Sequence, residues 1–173
     1  MKLRKPFPKS MRHDEEFEWW RGTIKLPEFA NVKIKVPGRK SSSNRIELRV
    51  EADDDGPVEA QGAAYTYLLD NQRKVLDACF RGIAKTAKVM RPIFEEGGWF
   101  KPEELDKVLP KSPTALALRT RVQLYDVCIT NRVKSGVAHI EFSFNCAWDQ
   151  EHGLLVVLHR DRLVFSGLTG SGW

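Results

Sequence analysis

Ala138-His139-Ile140-Glu141-Phe142-Ser143-Phe144-Asn145-Cys146-Ala147-Trp148, then Asp149-Gln150-Glu151-His152-Gly153, then Leu154-Leu155-Val156-Val157-Leu158, decide how this chain is read. In the first run Ala138, Ile140, Phe142, Phe144, Cys146 and Trp148 share one face, and His139, Glu141, Ser143 and Asn145 share the other. That period of two marks a strand with one buried side. The last run is apolar on both faces, as a central strand requires. Between them two acids, an imidazole and a glycine crowd into a turn. It is the one place where the chain concentrates ionisable groups between two buried elements.

Working outward, His159-Arg160-Asp161-Arg162 is a turn that returns the chain through Leu163-Val164-Phe165. Upstream, Val122 to Ile129 is another strand, turning at Asn131 to Gly136. Nearer the start, Trp19 to Leu26 reads as a first strand. Val32, Ile34 and Val36 alternate with Lys33 and Lys35, and Ile46, Leu48 and Val50 with Glu47, Arg49 and Glu51. The loop Pro37 to Asn44 makes these two a hairpin, with Lys33 and Lys35 beside Glu47 and Glu51 as cross-strand ion pairs.

Asp53-Asp54-Asp55-Gly56-Pro57 suits a helix start, with acids placed to cap free amides. Apolar residues at helical spacing from Tyr65 to Met90 predict one or two long helices over 58 to about 91, interrupted near Asp70-Asn71. Pro92 and Gly97-Gly98 end the pattern. A short helix follows from Pro102 through Leu109, broken by Pro110 and Pro113. Strands, then helices, then strands make an α+β fold: an antiparallel sheet with one or two long helices packed on one face.

The 173 residues fit a single α+β domain over 16–173, preceded by a basic, flexible tail over 1–15. That tail (Lys2, Arg4, Lys5, Lys9, Arg12) supplies much of the net charge of +5. It points away from a secretory signal because it has no apolar core, and no run approaches the roughly 18 apolar residues of a membrane span. Cys79, Cys128 and Cys146 lie far apart, odd in number and without a C-x-x-C pair. They read as buried, reduced thiols of a cytoplasmic protein with no cofactor.

Residues 118–167, and above all Trp148-Asp149-Gln150-Glu151-His152-Gly153-Leu154, resemble an uncharacterised bacterial family of small domains. Its hallmark is an aromatic strand, W-D-x-E-H-G, an aliphatic strand and a short hairpin. Trp20-Arg21-Gly22 and Leu26-Pro27 followed by Phe29 also fit it. Related-looking domains near polymorphic-toxin loci imply immunity or binding roles, and no activity is assigned. The chain departs from the pattern at Leu154-Leu155, where Leu-Gly is usual, and in its ending Thr169-Gly170-Ser171-Gly172-Trp173.

Asp149, Glu151 and His152 fall within four residues, so a turn could gather them around a cation or as an acid–base pair, with His159 or Asp161 as further ligands. The spacing matches no zinc or calcium signature. The leading expectation is therefore structural: Asp149 accepts amides of an Asx turn, Gly153 takes a positive φ, and Glu151 with His152 pins loops. A binding surface at Trp148, Asp149, Glu151 and His152 ranks second, and a metal or catalytic site third. His139, Glu141 and Ser143 imitate a triad, but alternate strand residues lie about 6.5–7 Å apart, too far for direct proton transfer. Nucleic-acid binding draws on the basic tail, Arg39-Lys40, Trp19, Trp20 and Trp99, and lacks a recognised module. The residues favour a non-enzymatic domain with a protein partner, immunity-like in its concrete form. A metal-dependent hydrolase-like site at the Trp148–Gly153 turn is the alternative.

Overall fold

Seven strands form one sheet in chain order in the computed structural model, which describes residues 6–29, 46–149, 151–170 and 173. They are β1 (Arg12–Asp14), β2 (Trp19–Ile24), β3 (Ile46–Glu51), β4 (Val122–Lys134), β5 (Val137–Cys146), β6 (Leu154–His159) and β7 (Arg162–Leu168). Every neighbouring pair is antiparallel except β3 and β4, which run parallel. The expected purely antiparallel sheet is thus corrected to a mixed, mostly antiparallel one. A parallel pair needs a long crossover, and the helical excursion between Glu51 and Val122 supplies it. Both edges of β3 are taken, by β2 and β4. The expected hairpin partner Val32–Val36, with Lys33, Lys35, Arg39 and Lys40, lies outside the described residues.

The excursion holds α1 (Glu59–Asp70), α2 (Gln72–Gly97), α3 (Pro102–Val108) and α4 (Ala115–Leu118). The break expected near Asp70-Asn71 falls at Asn71, whose side-chain amide donates to the Tyr67 carbonyl at 3.1 Å. The acids of 53–55 do not cap α1. Gln61 does, its Oε1 accepting the Val58 N–H at 2.9 Å. α2 also runs through Pro92 instead of ending there. Pro92 and Lys88 both face solvent, so the Lys88 carbonyl left without its helical donor can turn to water. Gly98, at φ +65°, then stops the helix.

α1 packs over β4 and β5, and α2 over β6 and β7. Their apolar stripes, including Tyr65, Leu68, Val75, Phe80 and Ile83, share one core with the even-numbered side of β5 (Ile140, Phe142, Phe144, Cys146) and with Leu48, Val50 and Ile129. Gly82 permits the close approach: a Cβ there would lie 2.8 Å from Leu163 Cδ1. Before Trp19, the segment read as a tail contributes β1 and the buried side chains of Phe7 and Met11; the Phe7 ring packs at a tilt against Tyr65, 4.8 Å between centroids. Among the described residues no helix is long and apolar enough to cross a membrane.

Candidate functional site

The Trp148–Gly153 corner joins β5 to β6. Trp148 completes the buried face of β5 at 2% exposure. Asp149 Oδ1 accepts the backbone N–H of Glu151 at 3.2 Å and of His152 at 3.0 Å, and lies 3.1 Å from His152 Nδ1. Its carbonyl accepts from Gly153 N–H at 3.3 Å and from Cys146 Sγ at 3.2 Å. Gly153 has φ +72°, and a Cβ there would meet the Phe144 carbonyl oxygen at 2.6 Å. The Asx turn and the positive-φ glycine are both present, whereas Glu151 and His152, expected to pin neighbouring loops, are exposed. Gln150 lies outside the described residues.

His159 ends β6, the full length of that strand away from the corner. There its Nε2 sits 2.8 Å from the Lys134 carbonyl, and its ring is 5.2 Å from His139. Asp161 hydrogen-bonds Tyr67 on α1 instead. The structure thus brings Asp149 and His152 together and leaves His159 and Asp161 apart from them. No group of three His, Cys, Asp or Glu side chains able to hold a metal occurs among the described residues.

All three cysteines are free and buried. Burial pushes the Cys146 thiol up to about 12 and raises Cys79 and Cys128 as well, so none is poised as a thiolate. His139, Glu141 and Ser143 do share the sheet's outer face. Each bonds or buries separately: His139 Nδ1 lies 2.9 Å from the Arg132 carbonyl, and Ser143 is buried.

That outer face, away from the helices, holds a second cluster of charged and aromatic groups that the sequence reading did not bring together. A bulge at Tyr125 shifts the register of β4 on β5 and turns Asp126 outward. Arg49 Nε and Nη2 then donate to its two oxygens at 2.7 and 2.5 Å. The same guanidinium lies 4.4 Å over Trp19, and Arg21 lies 5.0 Å over Phe17. Beside them a recess of about 520 Å³ opens at the Trp19 end of the sheet, lined by Phe17, Glu18, Trp19, Glu51, Asp53 and Asn131. A larger trough of about 930 Å³ runs along α1 between Phe7, Gly62, Tyr67 and Arg160, remote from both the corner and the arginines. Of the other tryptophans once weighed for nucleic acid, Trp20 is core and Trp99 is exposed after α2.

Further along the same face, Trp173 folds back over β5. Its indole Nε1 donates to Glu141 Oε1 at 2.8 Å, and Arg132 lies 4.2 Å over its ring. Burial raises the Glu141 carboxyl above the usual carboxylate range, an effect the indole hydrogen bond partly offsets. The alternating Glu141 and the terminal tryptophan were visible in the sequence; their meeting was not.

Comparison with curated proteins and with solved structures finds no match. A family model described as "Domain of unknown function (DUF6985)" matches residues 15–168, which is most of the chain, and the protein belongs to that family.

Proposed function

We propose that this domain is a non-enzymatic protein-binding module, immunity-like in that it acts by occupying a partner protein. Its contact surface is the Phe17–Trp19 end of the outer sheet face. The observation that carries the reading is the stacked tier of Phe17, Trp19, Arg21 and Arg49. Aromatic and arginine side chains of this kind dominate protein interfaces, because each buries much area and arginine adds several donors. Here their positions are already set by stacking and by the Asp126 clasp. Glu18, Glu51 and Asp53 around Trp19 complement a lysine or arginine of the partner. Glu151 and His152, exposed on the corner, are the second candidate contact, with Trp148 and Asp149 holding the turn beneath them.

Affinity capture from the source organism, run in parallel with wild type, Trp19→Ala and Glu151→Ala/His152→Ala, tests this. A partner retained by wild type and lost with Trp19→Ala is expected. Capture unaffected by either variant would remove both surfaces from consideration.

A further inference from the structure

We propose that Arg132, His139 and Glu141 form a receptor for a tryptophan residue, filled in this chain by Trp173 and available to a tryptophan-bearing segment of a partner protein that displaces it. Three features of a tryptophan residue are each read separately. The ring face meets the Arg132 guanidinium at 4.2 Å and the His139 ring at 5.5 Å. The indole N–H reaches Glu141 Oε1 at 2.8 Å, a contact that phenylalanine lacks a donor to make. The main-chain oxygen of Trp173 accepts from Arg132 Nη1 at 2.6 Å. Ring, donor and backbone together define a tryptophan within a peptide, rather than a generic apolar spot.

The occupant is also placed to leave. Trp173 lies on the outer face and takes no part in the core shared by helices and sheet. Arg132 is exposed, so the receptor has an open side. Leu155 and Val157, buried on this outer face, stand apart from that core and form an apolar floor near Glu141, which pairs with Val157. A filled site of this kind lowers apparent affinity for any competitor by the fraction of time it is open. Trp173 is then both occupant and gate.

The partner half of this proposal rests on the protein-binding reading above; the receptor half does not. It is tested on the full chain by ¹⁵N NMR titration with N-acetyl-tryptophanamide. Trp173→Ala, and Trp173→Phe as a second variant keeping a ring in place, should bind the probe at least about tenfold more tightly than wild type. The shifts should centre on Arg132, His139 and Glu141. Adding Glu141→Ala to Trp173→Ala should weaken binding about tenfold, and N-acetyl-phenylalaninamide should bind less well than the tryptophan probe. Absence of binding to a folded Trp173→Ala or Trp173→Phe variant, or equal binding to wild type, overturns the receptor. Loss of partner capture with Trp19→Ala leaves this titration unchanged, so the two readings fail separately.

Discussion

Arg49 and Asp126 clasp each other across the parallel junction between β3 and β4, two residues offset from direct register, through both carboxylate oxygens. Burial works against the guanidinium's charge, but the Asp126 hydrogen bond and charge override it and raise the Arg49 pKa above its ordinary value. The two partners are unequally covered: side-chain exposure is 21% for Arg49 and 4% for Asp126.

That inequality predicts asymmetric mutants. Arg49→Ala strands a carboxylate with almost no access to water and should cost about 3 kcal/mol. Asp126→Ala leaves an arginine that still reaches solvent and the Trp19 ring, and should cost about 1–2 kcal/mol. Urea unfolding of both variants checks the order. Equal costs would mean that the difference in exposure does not set the outcome.

Gly153→Ala should be among the most damaging single-methyl changes. The left-handed backbone costs about 1–2 kcal/mol for a residue with a Cβ, and the contact with the Phe144 carbonyl adds to it. Gly98→Ala is the control, because its φ of +65° carries the same backbone penalty while its Cβ would meet nothing within 4 Å. The difference between their unfolding free energies measures the collision alone.

At the corner, Asp149→Ala removes the acceptor for two backbone amides and should cost about 1–2 kcal/mol. Glu151→Ala should stay within about 0.5 kcal/mol. Elemental analysis of purified protein complements the stability measurement. A stoichiometric ion present in wild type and lost in His152→Ala would show that the corner is more than a joint.

Glu141 predicts a pH effect of defined sign. Its carboxyl is raised in the folded chain by burial first and by the nearby Glu51 and Asp126 charges second. The folded state therefore prefers the protonated form, and the stability this group contributes at acid pH is lost as pH rises through its raised value. Glu141→Gln keeps an oxygen for the Trp173 indole and removes the charge. It should be more stable than wild type near about pH 7 and no more stable near about pH 4. Thermal melts at the two pH values decide it, and a gain at both would mean that the charge is not the cause.

Much of the architecture was legible because its signals were local. Alternation placed β3 and β5, the apolar run placed β6, the turn at His159–Arg162 placed β7, and Asn71 broke the helical stripe where its side chain could satisfy the Tyr67 carbonyl. What was missed depends on contacts far along the chain. The parallel pairing of β3 with β4 leaves no mark in either strand. Even so, the change of parity between Val122-Leu124 and Val127-Ile129 was a readable trace of the Tyr125 bulge. Pro92 misled because it and Lys88 face solvent, where water can take the freed carbonyl. Met11 and Phe7 were hidden within a basic run whose charge dominated its reading. At the corner the Asx turn and the positive-φ glycine were legible because both are built from neighbours, whereas the Trp173–Glu141–Arg132 meeting joins residues 32 and 41 positions apart.

The β3–β4 junction has a consequence for how the sheet can come apart. Among the described residues, β1 to β3 and β4 to β7 are each antiparallel ribbons whose strands pair in chain order. The two ribbons touch along one stitched edge, spanned covalently by a stretch that carries α1 to α4. Closing so long a span loses more chain entropy than any hairpin in either ribbon. The β3–β4 stitch is therefore the pairing whose closure the chain's entropy opposes most, with the arginine–carboxylate clasp as its fastener.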